Sequence, residues 1–128
     1  MSFELQYAFN LASTLTNNHQ RIAAVCTDKK GKILSYGTNS YSKSHPLMVY
    51  FAKKVNESEE KCFIHAELNA VLKARNKPIY KISIARALKT GQPGLAKPCP
   101  ICEEMLKAFD VQIIEYTTGD PNEIQRNI

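Results

Sequence analysis

At 128 residues, with 44% hydrophobic and 23% charged side chains, the chain suits one globular domain with one core. No apolar run approaches the length that spans a bilayer, and Met1-Ser2-Phe3-Glu4-Leu5 has neither the basic stretch nor the apolar block of a signal peptide. A formal net charge of +5 and a pI near 9.0 admit an anionic partner, whether a nucleotide phosphate or a nucleic acid.

Phe3, Tyr7, Leu11 and Leu15 recur at steps of four with Ala8 and Ala12 beside them, which predicts an amphipathic helix over residues 3–16. Asn17 and Asn18 are suited to ending it, and His19 reads as a surface or capping residue. Residues 21–28 and 32–38 flank Lys29-Lys30-Gly31 as a β-hairpin, with the glycine supplying positive φ. Residues 39–63 are irregular and include His45-Pro46; a short helix is expected at 47–55, inside a stretch long enough to be a functional loop. Residues 65–75 (HAELNAVLKAR) predict a helix with Leu68, Val71 and Leu72 on one face, stopped by Asn76-Lys77-Pro78. Residues 79–86 alternate as a strand, and residues 87–97, with Gly91, Pro93 and Gly94, are expected as a loop. A second helix follows at 100–109 and a strand at 111–116, so this helix lies in a parallel crossover. The remainder reads as a tail with room for a small edge element. The order predicts a three-layer α/β fold, a mixed central sheet flanked by helices, formed by residues 1–128 as a single domain.

The chemistry lies at two of these helix starts: His65-Ala66-Glu67, and Pro98-Cys99-Pro100-Ile101-Cys102. One imidazole and two thiolates hold zinc and leave a fourth position for water. Cys99 and Cys102, three apart on a first helical turn, present both sulfurs to one side. The helix N-termini favour the thiolate forms that zinc needs. Glu67 is placed to reach the water and move its protons, acting as the general acid/base. The Cys-x-x-Cys alone also fits a structural zinc half-site or a redox pair. Neither needs a histidine and a glutamate at this spacing, and the cysteine usage points to a reducing, cytoplasmic setting. Of the other cysteines, Cys26 sits in an apolar strand and reads as core; Cys62 could join His45 in a second metal site, for which too few ligands are present.

His-x-Glu followed by Pro-Cys-x-x-Cys is the signature of zinc nucleobase deaminases. The chain here resembles the cytidine/deoxycytidylate deaminase family, over roughly residues 20–117. The resemblance implies the cytidine deaminase-like fold, Zn2+ bound by His65, Cys99 and Cys102, and hydrolytic removal of ammonia from a cytosine compound. Among relatives it looks most like those acting on dCMP. It assigns Asn39 to a sugar hydroxyl or the base, and the main-chain N–H groups of Ala66 and Cys99 suit the base carbonyl or an oxyanion. Tyr36, Tyr41 and Tyr116 could stack on the base, although core tyrosine is the commoner role. Arg86, Lys89 and Lys97 flank the loop before Pro98 and are phosphate-binding candidates. Two departures stand out. Gly94-Leu95-Ala96-Lys97-Pro98 replaces the Thr-x-Glu-Pro-Cys run of deoxycytidylate and tRNA-type deaminases, and little chain follows Tyr116 where relatives add a strand and a helix. Free (deoxy)cytidine or another nucleobase therefore remains an alternative substrate.

A nucleic-acid-editing deaminase is a further alternative that the charge pattern does not favour. The cations come in separate groups, at Lys29, Lys30 and Lys32, at Lys53 and Lys54, and at Lys73, Arg75, Lys77 and Lys81, with Glu57, Glu59 and Glu60 between. They read as a solvated surface. A non-enzymatic zinc module is least consistent with retention of Glu67. The expected partner is a small nucleotide, with no membrane, and the resemblance implies a homo-oligomer.

Overall fold

The computed structural model describes residues 1–16, 20–40, 44–56, 64–119 and, as backbone, 124–127. Asn17, Asn18, His19, Tyr41, Cys62 and the acidic run at Glu57, Glu59 and Glu60 lie outside them. Among the described residues, four helices and six strands follow in order: α1 (Phe3–Ser13), β1 (Arg21–Thr27), β2 (Ile33–Thr38), α2 (Pro46–Lys54), α3 (Ala66–Lys73), β3 (Lys81–Ala87), β4 (Pro93–Gly94), α4 (Pro100–Ala108), β5 (Ile113–Thr117) and β6 (Ile124–Asn127). None of these helices is long and apolar enough to cross a membrane.

The sheet order is β2-β1-β3-β5-β6, with β4 paired to β3 off this path. β1 runs antiparallel to β2 and β3, and β5 lies parallel to β3, as the intervening α4 predicts. β1 is apolar from Ile22 to Cys26 because both its faces are covered. Ala23 and Val25 meet α1, where Ala8, Ala12, Ala85 and Ala87 let the helix lie close to the strands. Ala24 and Cys26 meet the other layer, in one core with Met48, Phe51, Leu68, Val71, Ile82, Ile84, Met105 and Leu106. Of the described helices, α1 covers one face and α2, α3 and α4 the other.

The expected helices and strands are present with shifted ends, and the segment 87–97, expected as a loop, contains a short strand. There the chain turns back at once, with Leu88 N–H donating to Gln92 O at 2.9 Å and Gly91 at φ +86°. Pro93 and Gly94 then pair antiparallel with Ala87 and Arg86 as β4. Proline is tolerated because it is the first residue of this short strand. α1 stops three residues early: the Ser13 and Thr14 hydroxyls bond back to Phe9 O and Leu11 O, competing with the helix ladder. The tail supplies β6, antiparallel to β5. In the first hairpin Asp28 Oδ1 accepts from the Lys30 and Lys32 N–H groups at 2.9 Å each, and Gly31 stands at φ +86°. His45 caps α2 through Nδ1, 3.1 Å from Leu47 N.

Cys26 is core, as its strand predicts. Burial pushes its thiol up to about 12, against a Ser35 hydrogen bond that acts downward. Above pH 9.0 the unfolded chain therefore releases this proton while the folded chain keeps it, so stability falls as pH rises between about 9 and 12. In urea unfolding across that window, wild type should lose up to about 1.4 kcal/mol per pH unit more than Cys26→Ala. Equal slopes in the two proteins would show that the thiol titrates freely in the fold.

Candidate active site

α3 and α4 point their N-termini at one spot. His65 is the N-cap of α3 and Cys99 the N-cap of α4, both in extended conformation. Pro100 restricts Cys99 to that region and occupies the first helical position, where its absent N–H costs nothing. Neither cap side chain bonds to its own helix, although this is the place where serine or aspartate would. Their donor atoms turn instead toward each other. Nδ1 of His65 lies 3.2 Å from Sγ of the buried Cys102 and 3.6 Å from Sγ of Cys99. The three ligand atoms all fall within 4.8 Å of one another. Tetrahedral zinc with ordinary bond lengths requires N···S separations of roughly 3.5 Å, so the donor set fits the metal in both softness and spacing.

The electrostatics belong to a site built around a cation. The hydrogen bond from Cys102 holds the Cys99 thiol down at about 4, although burial works upward. That same bond, together with burial, raises Cys102 well above its ordinary value. Zinc binding to these thiols requires their deprotonation. Burial lowers His65, but the Cys99 hydrogen bond and the Glu67 and Cys99 charges outweigh it, leaving the imidazole raised. Glu67 is 6% exposed, and desolvation pushes its carboxyl up against the opposing pull of His65. It stands beside Cys102 yet outside the three-ligand group, in the position of a proton carrier. When bound, zinc supplies a Lewis acid that brings water to a pKa of about 7. Glu67 can take a proton from an attacking water and return it to a departing group.

Packing against β2 holds α3 in place. Asn69 Nδ2 donates to Thr38 O at 3.0 Å, and Ser35 Oγ donates to Ala70 O at 2.6 Å. Gly37 lies against the helix so closely that a Cβ there would sit 2.5 Å from Ala70 N and 2.9 Å from Ala66 O. These three positioning residues were not anticipated; a glycine near a strand end was the only sign of close backbone approach. Gly37→Ala should therefore cost about 3 kcal/mol in urea unfolding. It should also slow turnover about 100-fold, because the helix carrying Glu67 must shift. Unchanged stability would mean that α3 can yield at no cost.

The remaining candidates are distributed unequally. Asn39 spends its amide on the open end of the hairpin: Oδ1 accepts from Ile22 N at 3.0 Å and Nδ2 donates to Gln20 O at 2.8 Å. The next residue ties it to the site, since Ser40 N donates to Ile64 O at 3.1 Å, one residue before His65. Ala66 is fully buried at the start of α3. Arg86 pairs with Ile22 across β1 and β3, so Asn39, Ile22 and Arg86 form one row at the zinc end of the sheet. Lys89 and Lys97 are exposed, and Lys97 stands two residues before Cys99. Tyr116 is buried in the core, whereas Tyr36 turns toward Tyr7 on the α1 side, away from the zinc ligands.

The crystal structure of a dCMP deaminase from the cyanophage S-TIM5, in apo form, matches with a TM-score of 0.59 and 19% identity, covering 90% of this chain and 79% of that one. At that identity the likeness establishes the fold, which is the cytidine deaminase-like one. No curated protein sequence gives a significant match. A family profile described as the cytidine and deoxycytidylate deaminase zinc-binding region matches residues 3–118. With its zinc ligands converging at the starts of α3 and α4, the chain belongs to the cytidine and deoxycytidylate deaminase family.

Proposed function

We propose that the protein removes ammonia hydrolytically from a cytosine nucleotide, converting dCMP and water to dUMP and ammonia. Glu67 takes the proton of the attacking water and delivers it to the ring nitrogen as C4 becomes tetrahedral. It then takes the proton of the new C4 hydroxyl and passes it to the amine, so that the C4–N bond breaks, ammonia leaves and the C4 carbonyl of dUMP forms. The N–H groups of Ala66 and Cys99, at the positive ends of two helices, suit the base carbonyl. The uncommitted valences of the Asn39 amide suit a sugar hydroxyl.

The observation that carries the nucleotide reading is Arg86. Its Nε is buried without a hydrogen-bond partner among the described residues, at the sheet end that holds the zinc ligands. A buried guanidinium N–H left unbonded costs free energy that a phosphate oxygen would recover, and exposed Lys97 adds a second cation nearby. The solved relative of the same fold is a dCMP deaminase, which is consistent with this substrate class.

The test is ammonia release by zinc-loaded protein from dCMP, deoxycytidine, cytosine and a cytosine-containing oligonucleotide in parallel. dCMP should be preferred, and Arg86→Gln should raise KM for dCMP at least about tenfold while leaving deoxycytidine unaffected. Equal turnover of deoxycytidine and dCMP would make the protein a nucleoside enzyme and remove the phosphate role of Arg86.

A further inference from the structure

Two of the three cation groups that are far apart in sequence meet in the fold. α3 runs antiparallel to β2: its start faces Gly37, while Ala70 faces Ser35. From there Lys73 and Arg75 extend toward the hairpin tip as β2 recedes to Lys32, and Tyr80 N–H closes this end by donating to Thr27 O at 2.9 Å. Lys29, Lys30, Lys32, Lys73, Arg75 and Lys77 thus gather at one pole, all exposed and without an ion-pair partner among the described residues. Asp28 spends one carboxylate oxygen on the turn, and Glu4 is bonded to Lys81 at 3.3 Å. The six cations outnumber the carboxylates of Asp28 and of Asp110, which stands two residues before Gln112 where that residue donates to Tyr80 O. This pole lies roughly 20 Å from the zinc end, the length of β2.

Aromatic rings stand beside it. Phe3, Tyr7 and Tyr36 form a row with centroids 6.4 Å apart at each step, crossing from α1 to the edge strand. Phe3 is 73% exposed and Tyr36 47%, and Lys73 Nζ lies 5.9 Å from the Tyr36 ring centroid. Cations that track a backbone, next to exposed rings on which bases stack, are the two components of a single-strand binding surface. The register gives the row its position: Tyr36 opposes Val25, while Ser35 and Gly37 turn to α3.

We propose that the hairpin tip, the C-terminal end of α3 and the Phe3–Tyr7–Tyr36 row form a binding surface for single-stranded nucleic acid, distinct from the zinc pocket. It stands whatever the pocket's own substrate.

The experiment is fluorescence anisotropy of the zinc-loaded full chain with a labelled oligodeoxythymidylate of about 15 nucleotides. This probe has no cytosine, so binding is read apart from deamination. Affinity should fall with salt at a log–log slope of about −2 to −3, as for roughly four neutralised phosphates. The triple variant Lys30→Glu, Arg75→Glu, Lys77→Glu should weaken binding at least about 30-fold and flatten that slope. Tyr36→Ala should weaken it about tenfold, and Phe3→Ala repeats the aromatic test without touching the sheet. Lys97→Glu, at the zinc end, should leave affinity within about twofold. Absence of binding at low salt would overturn the proposal, as would a loss from Lys97→Glu as large as from the triple variant. Indifference to both aromatic variants, with polyglutamate competing equally, would also overturn it by reducing the surface to bare charge.

Discussion

Glu67→Ala is expected to keep zinc at full stoichiometry and to lower kcat by about 10⁴-fold on whichever cytosine compound the wild type prefers. One general acid/base contributes about 10² to 10⁴, and in the proposed mechanism Glu67 serves both the attack of water and the departure of ammonia, so the upper end is expected. The fold gives no reason for collateral damage. The carboxylate is outside the His65, Cys99, Cys102 group, and its burial already disfavours its charged form. Glu67→Gln, which keeps the shape and cannot relay a proton, should be nearly as inactive. Metal analysis beside single-turnover kinetics makes the check: a variant retaining zinc and near-normal turnover would remove Glu67 from the proton path. A variant losing zinc would make it a ligand.

Cys102→Ala should have the opposite profile, losing metal and stability together. The side chain is fully buried at the junction of α4 with the core, and its sulfur is 3.2 Å from His65 Nδ1. A metal that binds only the folded chain stabilises it by about 4 kcal/mol when its free concentration is a thousandfold above Kd. For a domain of this size that corresponds to roughly 15 °C in Tm. Wild type treated with a chelator should fall by a similar amount, and chelator added to Cys102→Ala should lower Tm no further. Additive losses would mean that Cys102 stabilises only by packing.

The zinc centre was legible because each half of it is local. Pro100 fixes Cys99 in extended conformation, three residues set the Cys99–Cys102 spacing, and two carry Glu67 from the ligand His65 into the first turn of α3. The main elements were legible for the same reason: a helical face in α3 or an alternation in β3 is written in neighbouring residues. β4 escaped because two residues have no period, and its pairing with Arg86 and Ala87 comes from the turn at 88–92.

The sequence by itself determined the donor set, the helix starts that carry it and the place of Glu67 in the first turn of α3, since these depend on residue chemistry over short spans. Only the tertiary structure decided what contacts each span from outside. It set the clearance at Gly37, engaged the Asn39 amide with Ile22 and Gln20, and buried Arg86 Nε beside the zinc end. It also brought Lys30 and Arg75, 45 positions apart, to one pole. Such contacts follow from strand register and helix direction, which are settled by burying the two faces of the sheet together and leave no trace in local pattern.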